Sequence, residues 1–121
     1  MIETNVFLTR KEMMEVLRTN PGVIIVKFGA DWCGPCKQIE SIVKQHMDLM
    51  PINHVRCMTI DIDEAFDAYA FLKSKKIVNG IPVCLAYYKD NISYIPDEVV
   101  IGTDLNEIKS FFATCYNQIQ S

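Results

Sequence analysis

Residues 23–37 read VIIVKFGADWCGPCK. The apolar run from Val23 to Val26 is continuous rather than alternating, which predicts a central strand covered on both faces. Helical periodicity begins near Lys37, so Cys33 and Cys36 lie at the junction of a strand and a helix. Two thiols separated by two residues can close a small ring, and amides at a helix N-terminus favour a thiolate on the first of them. This stretch therefore predicts reversible dithiol–disulfide chemistry.

Helix and strand signals alternate along the rest of the chain. Thr9 and Glu12 match a capping box, which predicts a first helix from about Arg10 to Arg18. Pro51 ends the periodicity of the second helix. The remaining predicted elements are a strand at 54–61, a helix at 66–73, strands at 83–88 and 99–101 joined through the polar segment 89–91, and a terminal helix capped by Asp104. This order predicts an α/β domain spanning residues 1–121, with helices on both faces of one sheet.

Composition narrows the function classes. The chain has 121 residues, of which 50% are hydrophobic and 22% charged, as expected for a compact protein. A formal net charge of -3 offers no broad attraction to nucleic acid or to an anionic membrane. Residues 1–8 lack the basic segment and apolar core of an export signal, and no apolar run approaches the roughly 20 residues that span a bilayer. We therefore expect a cytoplasmic protein, in a compartment where paired cysteines are catalytic or bind metal.

The cysteine pair has two other possible roles. A zinc site usually needs four ligands, and the chain has no second close pair of cysteines. A purely structural disulfide across so short a loop would constrain the unfolded chain little. The remaining cysteines lie singly in apolar segments and are expected to be buried small hydrophobes: Cys57, Cys84 and Cys115.

Other polar residues are expected to have structural roles. His46 and His54 have no acid or thiol beside them in the sequence, so we expect them to be structural or to face solvent. Asp61 and Asp63, two residues apart at a strand end, are typical of turn and capping chemistry rather than of a metal site.

The chain resembles the thioredoxin family over nearly its whole length. The resemblance rests on residues 27–37, with Trp32-Cys33-Gly34-Pro35-Cys36 at their centre, on Gly80-Ile81-Pro82 before a strand, and on Gly102 before the last helix. It implies a thioredoxin fold, in which helices flank a central mixed β-sheet on both faces.

The resemblance also implies a mechanism. Cys33 would be the exposed nucleophile that attacks a substrate disulfide, and Cys36, deeper and less exposed, would resolve the mixed disulfide. Pro82 would be the family's cis-proline, facing the cysteine pair. The expected substrate-binding residues form a shallow apolar docking surface: Trp32, Gly34, Pro35, Ile81, Pro82 and Gly102.

Two positions depart from the family pattern near the cysteines. Lys27 stands where many thioredoxins carry a buried aspartate beneath the second cysteine, and we count it with Cys33 and Cys36 as an expected catalytic residue. A charged Lys27 would favour thiolates, and a neutral one would accept the proton of Cys36. The structural alternative is an ammonium that reaches solvent or pairs with an acid. Gly29 stands where many relatives have a second tryptophan, and it removes apolar surface near the site.

The expected function is that of a thiol–disulfide oxidoreductase that reduces protein disulfides, with roles in electron transport and cell redox homeostasis. A recycling reductase or a small thiol would recharge it. We expect a monomer with no bound cofactor and no metal. One alternative is a binding subunit that uses the same fold as a platform. A disulfide oxidase or isomerase is a further alternative, which the Gly34-Pro35 pair and the missing export signal disfavour.

Overall fold

The computed structural model describes residues 1–120, which form five strands and four helices. In chain order they are β1 (Ile2–Thr4), α1 (Arg10–Leu17), β2 (Val23–Gly29), α2 (Gly34–Asp48), β3 (Val55–Asp61), α3 (Phe66–Ser74), β4 (Val83–Tyr88), β5 (Glu98–Ile101) and α4 (Leu105–Gln120). The predicted order of helices and strands is confirmed from α1 onward.

One mixed sheet runs through the molecule in the order β1-β3-β2-β4-β5. The central strand β2 pairs parallel with β3 and antiparallel with β4. Phe28, near the end of β2, lies between Ile60 on β3 and Val83 on β4. The fold is therefore the predicted thioredoxin fold, with its central strand formed by the apolar run.

The two faces of β2 supply two separate apolar cores. Ile24 and Val26 belong to the core shared with α1 and α3, whereas Val23 and Ile25 belong to the core shared with α2 and α4. Successive side chains of a strand point to opposite faces, so a continuous apolar run is what two covered faces require. Helices on both faces are thus confirmed.

The N-terminal strand β1 was not predicted. Its three residues pair in parallel with β3, from Ile2 beside Cys57 to Thr4 beside Thr59. Glu3 also forms an ion pair with Arg56, with 2.6 Å between Oε1 and Nη2, and this contact lowers the pKa of Glu3. Three residues are too few to show a period of two, so the strand is defined by its partner β3 rather than by its own pattern.

The predicted helix caps are confirmed. Thr9 and Glu12 form both hydrogen bonds of a capping box at α1, which ends at Leu17, one residue before the predicted end. At α4, Oδ1 of Asp104 accepts hydrogen bonds from the amides of Asn106 and Glu107. Among residues 1–120, no helix has both the length and the hydropathy needed to cross a membrane.

Candidate active site

The cysteine pair sits where β2 gives way to α2. After Gly29 the chain turns, and the amide of Cys33 donates to the carbonyl of Ala30 over 3.1 Å. Cys33 is the N-cap of α2, and its Sγ accepts a hydrogen bond from the amide of Cys36 over 3.1 Å. The two cysteines form a disulfide, with their Cα atoms 5.2 Å apart. The helix N-terminus therefore supplies an amide to the first sulfur, as predicted.

The two cysteines are equally buried. Each is 5% exposed, so the expectation of an exposed Cys33 and a less exposed Cys36 is wrong for this oxidised state. The reason is local, because the N-cap side chain of Cys33 turns inward to the amide of Cys36. Their neighbours Trp32, Gly34 and Pro35 are exposed and surround the pair.

Pro82 and Gly102 lie together at the same end of the sheet as the cysteines. The Ile81–Pro82 peptide bond is cis, in agreement with the expectation for Pro82. The carbonyl of Pro82 accepts a hydrogen bond from the amide of Gly102 over 3.0 Å. Because Val83 lies opposite Phe28, Pro82 comes level with the end of β2, where the chain leaves for Cys33.

The backbone at Gly102 requires glycine, since its φ of 89° lies in the left-handed region. Pro82 is buried and Ile81 is half-buried. The structure thus brings Ile81, Pro82 and Gly102 to the end of the sheet that carries Trp32.

Trp32 has a partner that the sequence did not reveal. Trp32 is 67% exposed, and its Nε1 donates to Oδ2 of Asp63 over 2.9 Å. The amide of Asp63 in turn donates to Oδ1 of Asp61 over 2.8 Å, which confirms the predicted turn chemistry. No spacing rule links positions 32 and 63, so this contact needs the fold to bring them together.

Lys27 is buried, with an exposure of 8%. It lies two residues from Ile25 on β2 and so shares the face that packs against α2. Among residues 1–120, no carboxylate lies within 4.0 Å of Lys27, so the ammonium does not pair with an acid. Its Nζ is not sealed from solvent and Lys27 lines a cavity, which favours the alternative of an ammonium that reaches solvent. Its neighbour on β4 is Cys84. Burial raises the pKa of Cys84 to about 12, although the charge of Lys27 acts in the opposite direction.

A cavity of about 510 Å³ opens beside Cys36, at the carboxyl ends of β1, β2 and β3. Its lining residues are Thr4, Asn5, Lys27, Gly29, Ala30, Asp31, Cys36, Lys37, Glu40, Thr59, Ile60, Asp61 and Glu64. Gly29 lines it, and a Cβ at this position would lie 3.5 Å from Sγ of Cys36. Of the two disulfide partners, Cys36 lines this cavity.

The other candidate ligands do not assemble into a metal site. Within residues 1–120, no group of three or more His, Cys, Asp or Glu side chains has the geometry to hold a metal ion. Cys57, Cys84 and Cys115 are buried free thiols, as predicted, and burial raises the pKa of each to about 12. They are small core residues.

The environments of the two histidines agree with the expectation that each is structural or faces solvent. His46 is half-buried and stacks on Phe112, with 4.9 Å between the ring centroids. His54 is exposed.

Comparison with known proteins adds independent support. The thioredoxin family model matches residues 4–114. Thioredoxin 3 of Plasmodium falciparum (isolate 3D7) is 28% identical over 94 residues, which cover 78% of this chain and 48% of that protein. Thioredoxin H-type 2 of Nicotiana tabacum is 36% identical over 70 residues, which cover 49% of this chain and 58% of that protein. The match thus spans about half the length of these relatives.

Solved structures agree. Trichomonas vaginalis thioredoxin superposes with a TM-score of 0.67 at 25% identity, over 93% of this chain and 96% of that one. Malassezia sympodialis thioredoxin superposes with a TM-score of 0.72 over 95% of this chain and 93% of that one, and at 16% identity it supports the fold alone. With the family match over residues 4–114, the mixed sheet and the Cys33–Cys36 disulfide at the start of α2, the chain belongs to the thioredoxin family.

Proposed function

We propose that this chain is a thiol–disulfide oxidoreductase that reduces protein disulfides through Cys33 and Cys36. The observation that carries the proposal is the hydrogen bond from the Cys36 amide to Sγ of Cys33, at a helix N-terminus. An N–H directed at sulfur stabilises the thiolate, which is the reactive form in disulfide exchange. Cys36, already within bonding reach of Cys33, supplies the second thiol.

The reaction runs in two exchanges. The Cys33 thiolate attacks one sulfur of a substrate disulfide, and the other substrate sulfur leaves with the electron pair of the broken bond. The Cys36 thiolate then attacks Sγ of Cys33, releases the first substrate sulfur as a thiolate and closes the Cys33–Cys36 disulfide. The substrate gains two electrons and two protons, and the protein loses them.

The substrate segment would dock on the apolar surface formed by Trp32, Gly34, Pro35, Ile81, Pro82 and Gly102. Exposed Trp32 offers the largest apolar area, and its hydrogen bond to Asp63 limits the orientations of the ring. An extended segment would pair with the free backbone of Ile81, as strands add to an open edge.

Lys27 would tune Cys36 rather than touch the substrate. It lines the same cavity as Cys36 and has no carboxylate partner within 4.0 Å among residues 1–120. A charged ammonium there favours the Cys36 thiolate, whereas a neutral amine would accept its proton. The pH dependence of disulfide reduction by Lys27→Met and wild type tests this role, and superimposable profiles would remove Lys27 from the mechanism.

The oxidised form must be reduced again for turnover, either by a reductase enzyme or by a small thiol. We place the protein in the cytoplasm, acting as a monomer in electron transport and redox homeostasis. Three buried free thiols beside a single disulfide support a reducing compartment.

Trapping tests the proposal directly. Cys36→Ser should accumulate mixed disulfides with protein substrates on Cys33, and the double variant Cys33→Ser/Cys36→Ser should accumulate none. Wild type should reduce insulin disulfides, with a reduction potential near the value of about -270 mV known for thioredoxin. A potential near -120 mV, the range of strong oxidants, would indicate an oxidase instead. Partners retained by the double variant would indicate a binding platform.

A further inference from the structure

We propose that the cavity beside Cys36 binds a small zwitterionic thiol, which reduces the Cys33–Cys36 disulfide by attacking Cys36. The proposal rests on the thiol–disulfide function above and names a partner for its recharging step. It assigns a second face of the disulfide to small molecules, apart from the docking surface around Trp32.

Access to the second sulfur comes from Gly29. With no side chain at this position, the space beside Cys36 at the end of β2 stays open to a small molecule, since a Cβ there would lie 3.5 Å from Sγ and 3.7 Å from Cβ of Cys36. The two cysteines are equally buried overall, yet it is Cys36 that lines the cavity. Since the rate of exchange depends on which sulfur an attacking thiol can reach, the cavity directs a small thiol to Cys36.

The size of the cavity selects small molecules. A volume of about 510 Å³ falls within the range of small-molecule sites, roughly 300–1,000 Å³. It lies at the carboxyl ends of three parallel strands, the usual place for ligands in α/β sheets. A folded protein substrate would use the exposed docking surface around Trp32 instead.

The charged residues that line the cavity favour a ligand that carries both a positive and a negative charge. Lys27 and Lys37 supply ammonium groups, and the first turns of α2 add the positive end of its dipole. Four lining residues supply carboxylates on the same cavity: Asp31, Glu40, Asp61 and Glu64. A thiol that carries both a carboxylate and an ammonium group, such as cysteine, can pair with both sets, whereas a neutral thiol pairs with neither.

The chemistry balances with thiols alone. The small thiolate attacks Sγ of Cys36, the bond to Cys33 breaks, and Cys33 leaves as the thiolate that its N-cap amide stabilises. A second small thiolate attacks the small-molecule sulfur bound to Cys36, forms a small-molecule disulfide and releases Cys36 as a thiolate. Cys33 and Cys36 then take up from solvent the two protons that the small thiols lost on ionising. Two small thiols are oxidised to one disulfide, and the protein disulfide becomes two thiols.

The reverse exchange gives a clean test with one cysteine at a time. Reduced Cys33→Ser, which keeps Cys36, is mixed with cystine, and the rate of mixed-disulfide formation is followed by intact mass; Cys36→Ser gives the matching rate for Cys33. We expect an adduct on Cys36 that forms several-fold faster with cystine than with uncharged 2-hydroxyethyl disulfide, after correction for the reactivity of the two reagents with free cysteine. No adduct on Cys36, while Cys33 still forms one, would overturn the proposal.

A second test fills the cavity with a larger side chain at position 29. In the Cys33→Ser background, Gly29→Leu should slow adduct formation on Cys36 by roughly tenfold, because access to the sulfur is lost. Gly29→Ala should slow adduct formation less, because its added Cβ would make only an ordinary contact. This variant provides the test if Gly29→Leu does not fold. Thr114→Leu, in the distant groove between β5 and α4, is the matched control and should change nothing. An unchanged rate in folded Gly29→Leu would show that thiols do not enter this way.

Removing single charges from the cavity lining tests the ligand class. Lys37→Gln and Glu64→Gln should each reduce the preference for cystine over 2-hydroxyethyl disulfide. A preference that survives both changes would contradict the zwitterion assignment. Insulin reduction by wild type is measured in parallel, so a failure of the reductase function would be seen separately from a failure of this entry route.

Discussion

The amide of Cys36 donates to Sγ of Cys33 over 3.1 Å, so the disulfide partner of the first sulfur also supplies its nearest backbone donor. This geometry belongs to the helix N-cap and persists when the disulfide opens, provided that α2 keeps its first turn. The stabilised sulfur is that of Cys33, because it occupies the cap position, and Cys36 has no equivalent amide among the hydrogen bonds of the described chain. The two thiols should therefore differ in reactivity although they are equally buried.

Alkylation measures this difference. In Cys36→Ser, which keeps the amide at position 36, iodoacetamide should modify Cys33 at neutral pH about ten times faster than it modifies Cys36 in Cys33→Ser. The pH of half-maximal reactivity should also be lower for Cys33. Equal rates with equal pH profiles would mean that the N-cap amide does not activate the nucleophile.

Three cysteines should not react with thiol reagents in the folded protein. Cys57, Cys84 and Cys115 are buried, and burial raises the pKa of each to about 12. At pH 8 the reduced native protein should react with a thiol reagent at two positions, Cys33 faster than Cys36, and at three more only after addition of denaturant. Rapid modification of a third cysteine without denaturant would mean that the core between α2 and α4 opens readily.

The contact between Trp32 and Asp63 should affect substrate binding more than stability. Both side chains are exposed, so removing the hydrogen bond with Asp63→Ala should change the free energy of unfolding by less than about 0.5 kcal/mol. The KM for a protein disulfide should rise roughly threefold, with kcat little changed, because the ring loses a fixed orientation while both sulfurs are untouched.

The fluorescence of Trp32 reports on the same change. It is the one tryptophan in the sequence, and its anisotropy should fall in Asp63→Ala. Glu15→Ala, which removes a carboxylate from the exposed side of α1, is the matched control and should leave both KM and anisotropy unchanged. A fall in kcat at constant KM would instead place Asp63 in the exchange step.

Partial burial of Lys27 without a carboxylate partner should cost some stability, although its ammonium lies at an open cavity. Its side chain is 8% exposed on the central strand, so Lys27→Met, which keeps the length and removes the charge, should raise the free energy of unfolding by about 1 kcal/mol. Urea unfolding at pH 7 measures this. Lys44→Met, which removes an exposed lysine paired with Asp48, should change stability by about 0.5 kcal/mol or less. A destabilised Lys27→Met would show that the ammonium is held by favourable interactions.

The parts of this molecule that the sequence predicted are those determined by neighbours along the chain. The run Val23–Val26 predicted a strand covered on both faces, and Thr9 with Glu12 predicted a helix start, because the contacts involved are either periodic or three residues apart. The cysteine pair was located for the same reason.

The parts that escaped prediction depend on distant residues. Strand β1 is too short to show a pattern and forms against β3, and Trp32 meets Asp63 only after α2 and β3 are in place. The burial of Cys33 depends on the direction of one side chain at the N-cap, which spacing does not fix. The cavity beside Cys36 is lined by parts of three strands and one helix, so no local pattern indicates it.

His46, which lies at the contact between α2 and α4, should make the stability of the protein depend on pH. Burial of the ring against Phe112 and the charge of nearby Lys109 lower its pKa below the ordinary value of 6.5. The folded state therefore favours the neutral ring, and its contribution is complete above pH 6.5. As pH falls below 6.5 the unfolded chain takes up the proton first, and this contribution is lost until the folded form is protonated as well.

Urea unfolding of wild type and His46→Phe between pH 8 and 5 tests this coupling. The phenylalanine keeps a stacked ring on Phe112 but does not titrate, so wild type should lose about 0.5 kcal/mol relative to it across that range, a small value because His46 remains half-exposed. His54→Gln, which changes the exposed histidine, should follow the wild-type profile. Parallel profiles for wild type and His46→Phe would show that the folded protein accommodates the imidazolium, whereas a divergence toward acid pH would place the cost of protonation at the contact between α2 and α4.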